Sequence, residues 1–138
     1  AWDASDRRIP ELGPDWVHAG QPAFDAYARS EYELAADTLT SGGATVYWML
    51  GPALNRPIVP QNDPARIERL NELVLEAVDG NEQVEIVDFP GFIGPVGGER
   101  DERLRGDGLH LSPEGRDELA AWLYDEVFAM DAWTASSP

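Results

Sequence analysis

A chain of 138 residues has the length of one ordinary domain and can bury roughly two-thirds of its unfolded surface. Its 43% hydrophobic content and five tryptophans exclude global disorder, and its formal net charge of −16 argues against nucleic acid or anionic membrane surfaces as partners. The absence of cysteine removes disulfides, thiolate catalysis and cysteine-ligated metals, while leaving the compartment open. No apolar run approaches the roughly 20 residues of a membrane helix, so no direct membrane insertion is expected.

Residues 1–20 (AWDASDRRIPELGPDWVHAG) carry Pro, Gly and charge without a sustained period and read as a long loop. From Pro22, the spacing of Phe24, Tyr27, Leu34, Ala35 and Leu39 predicts an amphipathic helix that stops at Gly42-Gly43. ATVYWML (44–50) is a continuous apolar run of the type found in strands buried on both faces. After a proline-rich loop, Asp63-Pro64 is a good N-cap and first-turn pair for a second helix. Its buried face is expected to carry Ile67, Leu70, Leu73, Val74, Ala77 and Val78, with Gly80 as stop. QVEIVDF (83–89) reads as a second strand, and PGFIGPVGGERDERLRGDG as a long glycine-rich loop. Ser112-Pro113-Glu114 starts a last helix with Leu119, Trp122, Leu123, Val127 and Met130 inward, before a frayed tail.

The order helix, strand, helix, strand, helix predicts one α/β domain over 1–138 with parallel strands. Two strands are few for such a sheet, which usually has about four to six, and they leave edges to be paired. Further strands are therefore expected upstream of Ala1.

In open α/β sheets, ligands bind in the loops past the carboxyl ends of the strands. The loop after the second strand leads from Asp88 to RGDGLHLSPEG (105–115), which holds His110 three positions after Asp107. That spacing lets the Asp107 carboxylate accept a hydrogen bond from His110 Nδ1–H, fixing the tautomer and turning Nε2 outward as a base. Gly106 and Gly108 are expected to permit the tight backbone, and Leu109 and Leu111 to anchor it. By spacing alone, an ordinary turn with a partly buried histidine near a helix start is the better reading, since a D-x-x-H quartet is short and often arises by accident.

The block D-G-L-H-L-S-P-E-G, followed by an amphipathic helix, resembles the last conserved block of the SGNH (GDSL-type) hydrolases. Other stretches extend the likeness to the SGNH domains fused to acyltransferase-3 membrane proteins of actinobacteria. They are Trp2-Asp3 with Asp6-Arg7-Arg8, the helix-opening Gln21-Pro22-Ala23-Phe24-Asp25, TVYWML with its Gly-Pro loop, and Arg66-Ile67-Glu68-Arg69-Leu70-Asn71. The resemblance spans most of residues 1–130. It implies a flavodoxin-like three-layer α/β/α fold lacking its first strands, and a serine esterase or O-acyltransferase. In that role His110 is the general base and Asp107 its orienter. It further implies ester-linked acyl groups of a carbohydrate, cell-envelope polymer or small molecule as substrate, with no cofactor and no metal. Tethering to an upstream membrane acyltransferase domain, on the extracytoplasmic face of a bacterial membrane, belongs to the same expectation.

The sequence departs from this pattern in lacking G-D-S; its serines are Ser5, Ser30, Ser41, Ser112, Ser136 and Ser137. If Ala1-Trp2-Asp3 corresponds to the family's x-N-D, Trp2 replaces an oxyanion donor worth about 3 kcal/mol. The nucleophile is then expected outside this chain, which by itself is expected to be inactive. The alternative is a non-catalytic SGNH-like remnant or accessory domain that binds polysaccharide or a partner protein.

Remaining candidates favour plainer roles. His18 reads as a surface or substrate-edge residue, Asn55 as a turn or cleft residue, Trp48 as core, and Trp16 as core or a sugar platform. Asp88, Asp107 and His110 lack the firm third-ligand spacing of a metal site. GFIGPVGG lacks the G-x-G-x-x-G order of a nucleotide loop.

Overall fold

The computed structural model describes residues 4–56 and 59–128, and their side chains apart from those of residues 61 and 126–128. They form a mixed α/β protein with two small sheets, divided by packing into two compact units, Ala1–Pro90 and Gly91–Pro138.

The first unit opens with more order than a loop. Strand β1 (Arg7–Arg8) pairs antiparallel with β2 (Trp16–Val17), across a 3-10 turn at Pro10–Leu12. A two-residue ladder is too short to leave a period in sequence. Yet it delivers Ile9, Val17 and Ala19 into a core shared with Phe24, Ala28 and Leu73. Arg66 fastens this segment by donating from Nη1 to the Ala4 carbonyl at 3.0 Å and to Asp6 Oδ1 at 2.8 Å.

Helix α1 (Pro22–Thr40) follows, and α2 (Pro64–Val78) packs beside it. The face expected for α2 is the observed one. Ile67, Leu73, Val74 and Val78 are buried, and Leu70 and Ala77 are half-buried. Asp63 caps its start, Oδ1 accepting Ala65 N–H at 3.0 Å, and Gly80 beyond its end adopts a φ of 78°. The face of α1 is corrected in part: Phe24 is buried and Tyr27 and Ala35 half-buried as expected, but Ala28, Ala36 and Thr40 are buried too, while Leu34 and Leu39 are exposed. The buried stripe runs at every fourth residue, through Phe24, Ala28, half-buried Tyr32, Ala36 and Thr40. Arg69 crosses between the helices, donating to Asp25 Oδ2 at 2.9 Å and also to Glu72 and Glu76.

Strands β3 (Val46–Met49) and β4 (Val84–Val87), on either side of α2 in sequence, pair in parallel with Val46 opposite Val84 and Met49 opposite Val87. Here too the sequence expectation is corrected in part: β3 is half-buried, with Met49 exposed, rather than covered on both faces. Trp48 is half-buried and meets Tyr32 edge-on, with ring centroids 5.5 Å apart. Past β3, the Asn71 amide grips the backbone of Gly51 at both ends, accepting from its N–H at 2.9 Å and donating to its carbonyl at 2.8 Å.

The glycine-rich stretch after β4 is not the structureless loop expected. It contains α3 (Phe89–Ile93) and α4 (Glu99–Leu104). In the second unit Phe92, Ile93 and Leu104 are buried, Phe92 stacks on Trp122 with centroids 4.8 Å apart, and Arg100 lies over the Phe92 ring. Helix α5 (Pro113–Trp122) continues as a π-helical turn over Leu123–Phe128. Leu119, Trp122 and Leu123 are half-buried, as expected for its inward face; Val127 and Met130 lie outside the described side chains. Among the described residues no helix is long and apolar enough to cross a membrane.

Candidate active site

The turn between α4 and α5 brings Asp107 and His110 together. Gly108 adopts a φ of 74°, a left-handed conformation that L side chains rarely enter, and its N–H donates to the Arg105 carbonyl at 2.6 Å. The chain then folds back over the Asp107 carboxylate. Oδ1 accepts two backbone N–H groups, from His110 at 2.7 Å and from Leu109 at 2.9 Å, while Oδ2 lies 2.8 Å from His110 Nδ1. Gly106 has no such backbone requirement: a Cβ there meets its nearest neighbour, the Glu102 carbonyl, at an ordinary 3.6 Å. Of the two glycines expected to permit the turn, Gly108 is the one it needs.

Three donors converge on this carboxylate. The His110 ring, then the N–H groups of His110 and Leu109, hold the Asp107 carboxyl well below the usual carboxylate range. An ionised carboxylate only accepts, so the hydrogen between it and the ring belongs to Nδ1. That choice of tautomer leaves the lone pair on Nε2. The His110 side chain is 75% exposed and that of Asp107 48%, so Nε2 is open to solvent. This differs from the partly buried histidine of the plainer sequence reading.

The anchors of the turn lie deeper than expected. Leu109 and Leu111 are half-buried, whereas Leu104 is fully buried and its carbonyl accepts Ser112 N–H at 2.8 Å. Ser112 caps α5 as expected, its Oγ accepting Gly115 N–H at 3.0 Å. Gly115 packs so tightly on the Leu104 backbone that a Cβ would come within 2.6 Å of the carbonyl oxygen. On the outer side, Arg103 donates to Glu114 at 2.8 Å and to both oxygens of Glu118, tying α4 to the first turns of α5.

Sequence reasoning missed Asp101 and Arg105. Their side chains are 1% and 2% exposed, and Arg105 Nε donates to Asp101 Oδ1 at 2.6 Å. Their i, i+4 spacing in ERDERLR resembles a solvated helix face; the available signal was Leu104 next to Arg105, an apolar anchor with nowhere else to go.

The remaining candidates have local roles. Ser30 and Ser41 hydroxyls donate to the carbonyls of Tyr27 and Thr38. His18 Nδ1–H donates to the Ala19 carbonyl at 2.8 Å, and its backbone N–H to Gln21 Oε1. Trp16 is exposed beneath the Arg8 guanidinium, 5.0 Å from the ring centroid. Asn55 is exposed in the loop after β3, and Asp88 is exposed directly after β4. Within the first unit, an open groove of about 380 Å³ follows the carboxyl ends of β3 and β4, lined by Gly51, Ala53, Ile67, Leu75 and Pro90 among others. Among the described residues no group of three or more His, Asp or Glu is placed to hold a metal ion. Trp2-Asp3, part of the resemblance to the SGNH domains, lies outside the described residues.

No family model matches the chain, and neither a curated protein nor a solved structure is significantly similar to it. The chemistry of the site therefore rests on its own geometry and on the sequence likeness.

Proposed function

We propose that these residues are part of an SGNH-type serine esterase or O-acyltransferase domain of flavodoxin-like three-layer build. In this reading His110 is the general base, Asp107 its orienter, and the nucleophilic serine comes from outside the 138 residues. The observation that carries the proposal is the 2.8 Å contact between His110 Nδ1 and an Asp107 carboxylate already fixed by two backbone N–H groups.

The chemistry follows from the tautomer. His110 Nε2 takes the proton of the attacking serine hydroxyl as Oγ bonds to the ester carbonyl carbon. Asp107 steadies the imidazolium so formed. Nε2 then returns the proton to the leaving alkoxide as the ester C–O bond breaks, leaving an acyl-enzyme. Water completes an esterase cycle; a sugar hydroxyl completes a transferase cycle. The substrate class, O-acyl groups of a carbohydrate, envelope polymer or small molecule, comes from the sequence likeness. So does tethering to a membrane acyltransferase on the extracytoplasmic face.

Labelling with a fluorophosphonate tests the proposal, using a chain extended to include its upstream coding sequence. The expected result is a serine adduct that His110→Ala suppresses. Equal labelling of that variant would overturn the assignment of His110 as base.

A further inference from the structure

The dyad turn is closed on two successive buried residues. The Leu104 carbonyl accepts Ser112 N–H, closing the loop from outside, and the Arg105 carbonyl accepts Gly108 N–H, closing the inner turn that carries Asp107. The orientation of the Arg105 peptide therefore sets where the Asp107 carboxylate stands.

Arg105 is held on both sides of its Cα, by its side chain and by its own N–H. Arg105 Nε and Nη2 both lie 2.6 Å from Asp101 Oδ1, and Arg105 N–H donates to the Asp101 carbonyl at 2.7 Å. Asp101 is fixed in turn, Oδ2 accepting Gly97 N–H at 2.8 Å. Hydrogen bonds thus link Gly97, Asp101, Arg105 and Gly108, and the backbone joins Gly108 directly to Asp107.

A buried ion pair is a poor device for stability alone, since apolar side chains of similar volume often serve as well. A planar guanidinium does what an aliphatic chain cannot: its fork fixes direction as well as distance.

We propose that Asp101 and Arg105 are positioning residues for the dyad, their buried ion pair setting the register in which Asp107 meets His110 Nδ1. The inference rests on reading Asp107 and His110 as orienter and base.

The test reads the neutral tautomer of His110 by imidazole ¹⁵N NMR, alongside thermal unfolding and hydrolysis by the upstream-extended chain. The native chain is expected to hold the Nδ1–H form. Asp101→Leu combined with Arg105→Met replaces the pair with apolar volume. This double variant is expected to unfold near the native temperature yet drift to the Nε2–H form that free histidine prefers. Its kcat is expected to fall by about 100-fold, the cost of small misplacements at reacting groups, with KM little changed. A folded double variant that keeps both the native tautomer and kcat overturns the proposal. Should it not fold, Arg105→Lys, which retains the charge and loses the fork, decides by the same two readouts. Asp107→Asn separates the failures. If it shifts the tautomer while the Arg105 variants do not, the dyad stands and the positioning role is lost. If it too leaves the tautomer native, the dyad reading falls and the positioning role with it.

Discussion

Two acid–base pairs lie close together along the chain of the second unit and live in opposite surroundings. Asp101 and Arg105 are almost wholly buried; Asp107 and His110 are largely exposed. A buried pair is costly to break, because either partner left alone is an uncompensated charge away from water. An exposed pair contributes little to stability, since water and salt screen it. Asp107 accepts the Leu109 and His110 N–H groups and so shapes its own turn; under the proposed function the same geometry also orients His110 for proton transfer.

The contrast is sharpest in substitutions that remove one partner. Asp101→Ala is expected to destabilise the protein by about 3–5 kcal/mol, read as a lower midpoint in urea unfolding. His110→Ala is expected to leave that midpoint unchanged within error. Equal effects of the two would erase the distinction between a structural and a chemical pair.

Next in size is Gly115→Ala. Its methyl group would lie within 2.6 Å of the Leu104 carbonyl oxygen, so α5 must shift, at a cost of about 1–3 kcal/mol. Amide exchange at Ser112, which donates to that same carbonyl, is expected to quicken. Native protection at Ser112 would show that the turn does not depend on this close approach.

A smaller loss is expected for Gly108→Ala, which forces a side chain into left-handed backbone at a cost of about 1–2 kcal/mol. Gly106→Ala, with room for its methyl, is the paired control, and comparable melting shifts in both would contradict the turn described here.

How much of this was legible in the sequence depended on what kind of signal each element leaves. Helix α2 was readable because large apolar residues recur at helical spacing from Ile67 to Val78. The caps at Asp63 and Ser112 were readable because each is set by one side chain and its neighbours. The stripe of α1 was readable in part: the aromatic Phe24 and Tyr27 marked it, whereas Ala28, Ala36 and Thr40 are too small to stand out beside the exposed Leu34 and Leu39. Two-residue β1 and β2 are shorter than any period. Asp107 and His110 were legible as a pair through their spacing, whereas Asp101 and Arg105 looked like ordinary surface charge because burial of a charged pair leaves no mark on composition.

The smallest effect concerns acid. The folded-state pKa of Asp107 is depressed, so its contribution to the turn is fully present above the unfolded value of about 3.9 and is lost only as pH falls through the lower folded value. The Asp107 carboxyl carbon, followed by ¹³C NMR, is expected to stay ionised through the range where ordinary aspartates titrate. Titration within that ordinary range would mean that the three donors do not hold it.

The most direct test of the central claim is the rate of ester hydrolysis by the upstream-extended chain carrying Asp107→Asn. That change preserves the shape of the turn and removes the charge that fixes the Nδ1–H tautomer. The account predicts a folded protein whose kcat falls by about four orders of magnitude, the loss a mis-set histidine tautomer causes in serine hydrolases. A folded variant with native kcat would contradict it.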